Sequence, residues 1–432
     1  MDLDSGTTGY MLLATALVLL MTPGLAFFYG GLVKAKSVIS MMMMSFGAIG
    51  LIGVLWAIYG YAIAFPIGGT EIPDSVVGAR GFWAIDTASI GLNGLLTTPD
   101  GVALAPLAFA AFQATFAIIT VALVSGAIAD RAKFWSWMLF AGIWGTVVYF
   151  PVASWVFDFG LDADTGAFSY GGWATKGLQD VFGVGVIDFA GGTAVHINAG
   201  AAALALALVL GKRVGFGKGV STPHNPPFVM LGAGLLWFGW FGFNAGSELA
   251  PDNTAAIAFV NTLIAPAAAL LAWIIVEKFK DGKSTSVGAA SGAVAGLVAI
   301  TPACGSLHPI WAIVLGLVAG AVCALAIDLK FKLGFDDSLD VVGVHLVGGL
   351  VGTLYLGFFA NGTGWFMGGN GTQLLVQAIV ALSVLVYSFT LAFLIGIAIE
   401  KTIGFRIKNE DEIAGIDLVV HGEEGYILAD TK

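Results

Sequence analysis

Asp188-Phe-Ala-Gly-Gly-Thr-Ala-Val-His196 and its later echo, Asp337-Ser-Leu-Asp-Val-Val-Gly-Val-His345, each place a histidine eight residues after an aspartate. Each stretch is a polar start running into a long apolar segment. Of the five histidines in the chain, only these two lie within long apolar runs. Ionisable groups inside apolar spans are costly and mark a substrate or ion path by default. The plainer reading, a pair of satisfied core histidines, would hold for one of them alone. Its repetition at matching places points to two imidazoles that face each other in a membrane pore.

The composition decides the solvent. The 432 residues are 58% hydrophobic and only 11% charged, and the mean hydropathy is +0.92. A soluble core of this size would need a polar surface that such a chain cannot supply. Repeated apolar runs of about 20 residues, the length that crosses a ~30 Å hydrocarbon core, define a polytopic membrane protein. The 61 glycines suit helices packed backbone to backbone. A formal charge of −10 argues against nucleic acid as a partner. Cys304 and Cys323 read as small buried side chains. The start, Met1-Asp-Leu-Asp, has no positive n-region, so the first apolar run reads as a true span.

Eleven spans are expected, at about 9–31, 40–65, 101–128, 134–157, 188–210, 227–247, 254–277, 286–303, 309–329, 339–360 and 372–400. The transmembrane part is thus 1–400, and a polar tail follows over 401–432. Segments 66–100 and 158–187 are too long and polar for tight turns and read as folded caps on one side. Twelve of the 18 Lys and Arg fall in one set of loops, among them Lys34, Arg131, Lys212 and Lys330, and four more fall in the tail. The alternate loops hold only Arg80 and Lys176. That asymmetry places the N-terminus outside and the tail in the cytoplasm.

The Asp–His stretches open the fifth and tenth spans. Two five-span halves, about 9–210 and 227–360, are then inverted relative to each other, with the eleventh helix, 372–400, outside the repeat. Eight helical residues would carry each histidine about 12 Å from its aspartate. Entering from opposite faces, both imidazoles would arrive near the middle of the bilayer. The same rise excludes Asp–His contact within one helix. Asp188 and Asp337 are therefore expected at helix starts, where a carboxylate satisfies free N–H groups.

Other stretches carry weaker signals. Phe112 and Phe116 lie four residues apart on one helix face, and Trp240, Phe243 and Ser247 follow at i, i+3 and i+7. Such stripes are more often packing. Here, aromatic faces with a hydroxyl near the outer side suit a small cation. Thr301-Pro-Ala-Cys-Gly305 reads as a helix end, His308 as an exposed residue and His224 as part of a cytoplasmic turn. His421 beside Glu423 makes too weak a metal site, so the tail reads as a docked segment that regulates or stabilises. No phosphate-binding glycine loop, nucleophile elbow or metal-ligand cluster is present in the sequence, and neither an enzyme nor a cofactor is expected.

At these residues the chain resembles the ammonium transporter family, the Amt/Mep branch of the Amt/Mep/Rh superfamily. The resemblance runs over nearly the whole chain. It rests on Thr22-Pro-Gly-Leu-Ala-Phe-Phe-Tyr-Gly-Gly31, the Asp188-to-His196 stretch, Trp240-Phe-Gly-Phe-Asn-Ala-Gly-Ser247, Thr301-Pro-Ala-Cys-Gly305, Asp340-Val-Val-Gly-Val-His345 and the Gly415-Ile-Asp…His421-Gly-Glu tail. It implies an all-α, eleven-helix homotrimer in the cell membrane with one pore per subunit. His196 and His345 would be the twin histidines of that pore, and Phe116 and Phe243 the stacked gate above them. Phe112, Trp240 and Ser247 would form an external ammonium recruitment site, supported by Asp188. The resemblance also implies that a PII-type regulatory protein can plug the cytoplasmic exit and that the tail couples neighbouring subunits.

One departure stands out. After the Tyr-x-Pro segment, where many bacterial members carry a Trp at the recruitment site, this chain reads Ser154-Trp-Val-Phe157. Phe offers a weaker cation–π face than Trp, so Trp155 is an alternative aromatic there. The expected activity is ammonium recruitment, deprotonation and passage of ammonia along the histidines, with or without a separately transferred proton. The rivals are an ammonium sensor that conducts little and an Rh-like channel for neutral ammonia.

Overall fold

A computed structural model describes residues 3–66, 76–79, 82–98, 103–161, 168–217 and 222–426. Arg80, Lys218 and Lys432, and parts of the two expected caps, lie outside the described residues. The architecture is all-α and each expected span is helical. Ser5–Leu32, Ala35–Ala64, Pro106–Ile128, Phe134–Phe157, Gly192–Leu210, Pro226–Glu248, Asn253–Asp281, Pro309–Leu333, Val342–Phe359 and Thr372–Thr402 are long and apolar enough to cross a membrane. The eighth expected span is the shorter apolar helix Ser286–Ile300, about 22 Å long at 1.5 Å per residue. In the expected caps, Val76–Ala79 pairs antiparallel with Trp83–Asp86, and Phe159–Leu161 with Phe168–Tyr170.

Helix starts follow their capping residues. Asn225 accepts a hydrogen bond from the Phe228 N–H, with Pro226 at the first helical position. Asp252 caps the seventh span through the N–H groups of Thr254 and Ala255. Such side chains satisfy donors that the first turn leaves free. The first and sixth spans pack extensively along each other, and the fifth meets the start of the tenth. Those are the pairs that two related five-span sets would bring together.

The fifth and tenth spans begin later than their sequence pattern indicates. Residues 188–191 are not helical, Gly191 has φ 115°, and the helix starts at Gly192. At the tenth span Asp340 takes a left-handed φ of 63°, and regular backbone begins only at Val341. The expected 12 Å helical descent from each aspartate is therefore wrong. Each histidine instead sits in the opening turn of a helix that starts inside the protein. Both turns, Gly192–Ile197 and Val342–Leu346, are π-helical, a rare distortion frequent at functional sites. Non-helical backbone at membrane depth is tolerated only when protein buries it, and the side chains of Asp188 and Ala190 are buried.

Two glycines let these helices cross. Gly200 lies four residues after His196, and Gly349 four residues after His345. A Cβ on Gly200 would stand 2.5 Å from the Leu346 nitrogen, and one on Gly349 would stand 3.1 Å from the His196 Cβ. The crossing is reciprocal.

On the Lys/Arg-rich side, Arg213 binds Asp336 at 2.9 Å and Asp130 at 3.1 Å. Burial alone would raise the Asp336 carboxyl, but the hydrogen bonds and charge of Arg213 hold it below its ordinary value. This contribution is present at neutral pH and is lost only as pH falls through that lowered value. The tail docks against the same side. Glu412 accepts from the Val214 N–H at 2.7 Å and pairs with Arg406 at 2.8 Å. Asp417 accepts from Ile39 and Ser40 at 3.0 and 2.7 Å, capping the second span from 377 residues away. The Tyr426 hydroxyl meets His224 Nε2 at 2.8 Å.

Gly200→Val is expected to lower the thermal unfolding temperature in detergent, because overpacking here meets backbone rather than a yielding side chain and costs about 1–3 kcal/mol or more. An unchanged unfolding temperature would contradict the crossing.

Candidate functional site

The site is a file of rings leading from a cavity to the two imidazoles. The cavity, on the side away from the Lys/Arg-rich loops, is about 620 Å³ and is lined by Phe157, Asp188, Ser247, Glu248 and Gln373 among others. From there Phe157 meets Phe116 edge-on, with centroids 6.3 Å apart. Phe116 and Phe243 are stacked at 4.1 Å with an interplanar angle of 17°. Phe243 lies 6.3 Å from His196, whose ring centroid is 5.3 Å from that of His345. The stacked pair closes the file: Phe116 and Phe243 are each 1% exposed.

Beyond it, Trp240, Phe243, His196 and His345 share a chamber with Leu25, Ile119 and other apolar side chains. Its volume is about 10 Å³, room for one water-sized molecule. No Asp, Glu, Lys or Arg lines it. The Nδ1 atoms of the two imidazoles are 3.2 Å apart. A neutral imidazole has one donor and one acceptor nitrogen, so one ring donates across this contact and the other accepts. The two Nε2 atoms are then one acceptor and one donor. His196 Nε2 has no partner among the described residues.

Asp188 does the work of a helix cap. Its carboxylate accepts from the N–H groups of Gly191 at 3.0 Å, Gly192 at 2.5 Å, Thr193 at 2.8 Å and Ala194 at 3.2 Å, and from the Thr193 hydroxyl. Asp337 likewise accepts from the Val342 N–H at 2.7 Å. The acids hold the two openings, and the histidines project beyond them.

The recruitment set expected from the sequence divides. Ser247 and Phe157 line the cavity with Asp188, and Phe112 packs on Phe116 at 4.8 Å and beside the backbone of Gly246. Trp240 does not belong there. It sits seven residues, about 10 Å, along the helix from Ser247, stacks on His196 at 5.5 Å and donates from Nε1 to the Thr301 hydroxyl at 2.8 Å. Its place is the chamber. Trp155, the alternative aromatic, also lies elsewhere, donating to the Phe82 carbonyl and packing on Trp173 and Tyr387. Sequence reasoning passed over Glu248, whose only signal was its adjacency to Ser247.

An all-α polytopic membrane protein with an aromatic constriction above an apolar, histidine-lined chamber belongs to the class of transporters and channels for small molecules. The comparisons agree. The Ammonium Transporter Family model matches residues 9–426, and the chain belongs to that family, whose members are transporters rather than enzymes. It is 54% identical over 448 residues to an ammonium transporter of Mycobacterium tuberculosis, covering 99% of this chain and 91% of that one. A putative ammonium transporter of Methanothermobacter thermautotrophicus is 43% identical over 441 residues, covering 99% of this chain and all of that one. Among solved structures, Mep2 of Saccharomyces cerevisiae aligns with a TM-score of 0.81 at 32% identity, over 95% of this chain and 91% of that one.

Asp188→Ala should lower thermal stability by about 2–5 kcal/mol, because it leaves several buried N–H groups without an acceptor. Asp188→Asn, which keeps one acceptor oxygen, should fall between the two. Equal unfolding curves for all three proteins would remove the capping role.

Proposed function

We propose that this chain transports ammonium by recruiting it in the outer cavity, removing its proton at the Phe116–Phe243 constriction and passing ammonia along His196 and His345. The observation that carries this reading is the file itself: an acid- and hydroxyl-bearing cavity, then a closed aromatic pair, then an apolar chamber of one-molecule size. Moving an intact cation into such a chamber would cost tens of kcal/mol by idealised Born solvation. Ammonium holds its proton with a pKa roughly two units above neutral, so removing it at pH 7 costs about 3 kcal/mol. Deprotonation is the cheaper route by a wide margin.

Within the reading, the Phe157 face and the Ser247 hydroxyl meet the cation, and Phe112 backs the outer ring of the constriction. The complementary tautomers of the histidines give ammonia both a donor and an acceptor. A proton transferred separately would make transport electrogenic. The chain works in the cell membrane as a homotrimer, with its N-terminus outside and its 401–432 tail in the cytoplasm. The docked tail, bound to the second span through Asp417 and to the loop after the fifth through Glu412, supports a regulatory part in that assembly. A PII-type protein is the partner expected at the cytoplasmic mouth.

A structural neighbour titled "Sensor Amt Protein" has a TM-score of 0.83 at 27% identity and covers 96% of this chain. A sensor would bind ammonium with little flux, whereas the present reading requires vectorial movement, which a liposome flux assay reports. An Rh-like gas channel would be indifferent to the cation-facing groups of the outer cavity.

Replacing both His196 and His345 by Ala is expected to change ammonium uptake by at least about tenfold or to admit potassium, since two polar ring edges would be lost from the chamber. Uptake and selectivity against potassium that both match the parent protein would sink the mechanism.

A further inference from the structure

The outer cavity contains a carboxylate that the reading above leaves unused. Glu248 lines it beside Ser247. It ends the short turn Gly246–Glu248, after which Leu249 takes a left-handed φ of 61°. A non-glycine residue in that region is strained and persists only where its surroundings hold it. This bend stops the sixth span at the rim and fixes where the Glu248 backbone sits.

Glu248 is half-buried, and no Lys, Arg or His forms an ion pair with it among the described residues. Its neighbour in charge is Asp252, another acid, whose side chain is hydrogen-bonded to it, so the two carboxyls share a proton. Asp188, which lines the same cavity, already accepts from four backbone N–H groups and a hydroxyl. Glu248 is therefore the cavity-lining member of an acid pair that, sharing one proton, still carries a net negative charge with no basic residue paired to it among the described residues. A one-signed charge in a low-dielectric cleft concentrates counter-ions there. Phe157, a weaker cation–π partner than an indole, lines the same cavity.

We propose that Glu248 is a cation-recruiting residue of the outer cavity, its carboxylate supplying attraction for ammonium and small primary alkylammonium ions that the Phe157 face supplies only weakly. The proposal rests on the ammonium-transport reading and deepens it. Glu248 raises capture. Selection stays with the constriction and the chamber, because a bare carboxylate does not distinguish one monovalent cation from another.

The test uses the full chain reconstituted in liposomes, with initial uptake measured against the concentrations of ammonium and of methylammonium. Glu248→Gln is expected to raise the apparent KM about fivefold, the scale of a partly exposed ion pair, with the maximal rate within about twofold of the parent. Glu248→Asp, which keeps the charge, should stay near the parent KM. Adding Phe157→Trp to Glu248→Gln should recover part of the loss. In the parent protein itself, raising ionic strength should raise KM, and in Glu248→Gln that dependence should flatten. An unchanged KM in Glu248→Gln overturns the proposal, as does a maximal rate that falls with KM and is not restored by Asp. Should the Gln protein fail to fold, a parent KM insensitive to salt overturns it equally. If the parent moves no ammonium, the transport reading itself falls. If the parent transports and only the Glu248 prediction fails, that reading stands.

Discussion

Two imidazoles 3.2 Å apart within an apolar interior set the terms that the surrounding structure meets. To bring them together, two helices must begin inside the protein rather than at its surface. A helix start carries free N–H groups that have no water to bond, and Asp188 and Asp337 answer that need within a few residues of each histidine. The helices must also cross closely, and Gly200 and Gly349, each one turn past its histidine, leave the space. Histidine, cap and glycine thus form one device, built twice.

The constraint extends outward along the file of rings. Phe243, three residues after Trp240, puts one ring over the chamber while Trp240 stacks on His196. Phe116 closes on Phe243 from the third span. Polar groups are concentrated above this pair and apolar ones below it. A small molecule that can exist both as a cation and as a neutral base fits such a division, whereas an ion with no proton to lose does not.

Much of this was legible in the sequence. Hydropathy placed the ten long apolar helices and the shorter Ser286–Ile300 to within about five residues at each end, because an apolar run long enough to cross a bilayer has few other readings. The repeated Asp–His spacing correctly singled out the pair that meets. What misled was the assumption that helix begins at the aspartate. The Gly191-Gly192 doublet marked the break, but a period-based reading carries no information on depth. The same blindness put Trp240 with Ser247: i and i+7 share a helix face, yet they stand about 10 Å apart along it. The tail's anchoring was beyond reach for another reason. Nothing local in Asp417 reveals a backbone partner at Ser40, and only the folded chain brings them together.

The account stands or falls on the exclusion of a charge that cannot be shed. The direct measurement is flux through the reconstituted protein under equal, opposed gradients of ammonium and potassium, two cations of similar size. Ammonium-dependent transport that runs at full rate against the potassium gradient, with no potassium movement, is the predicted result. Potassium passing at a comparable rate would show that the intact cation crosses the constriction, and would contradict the account.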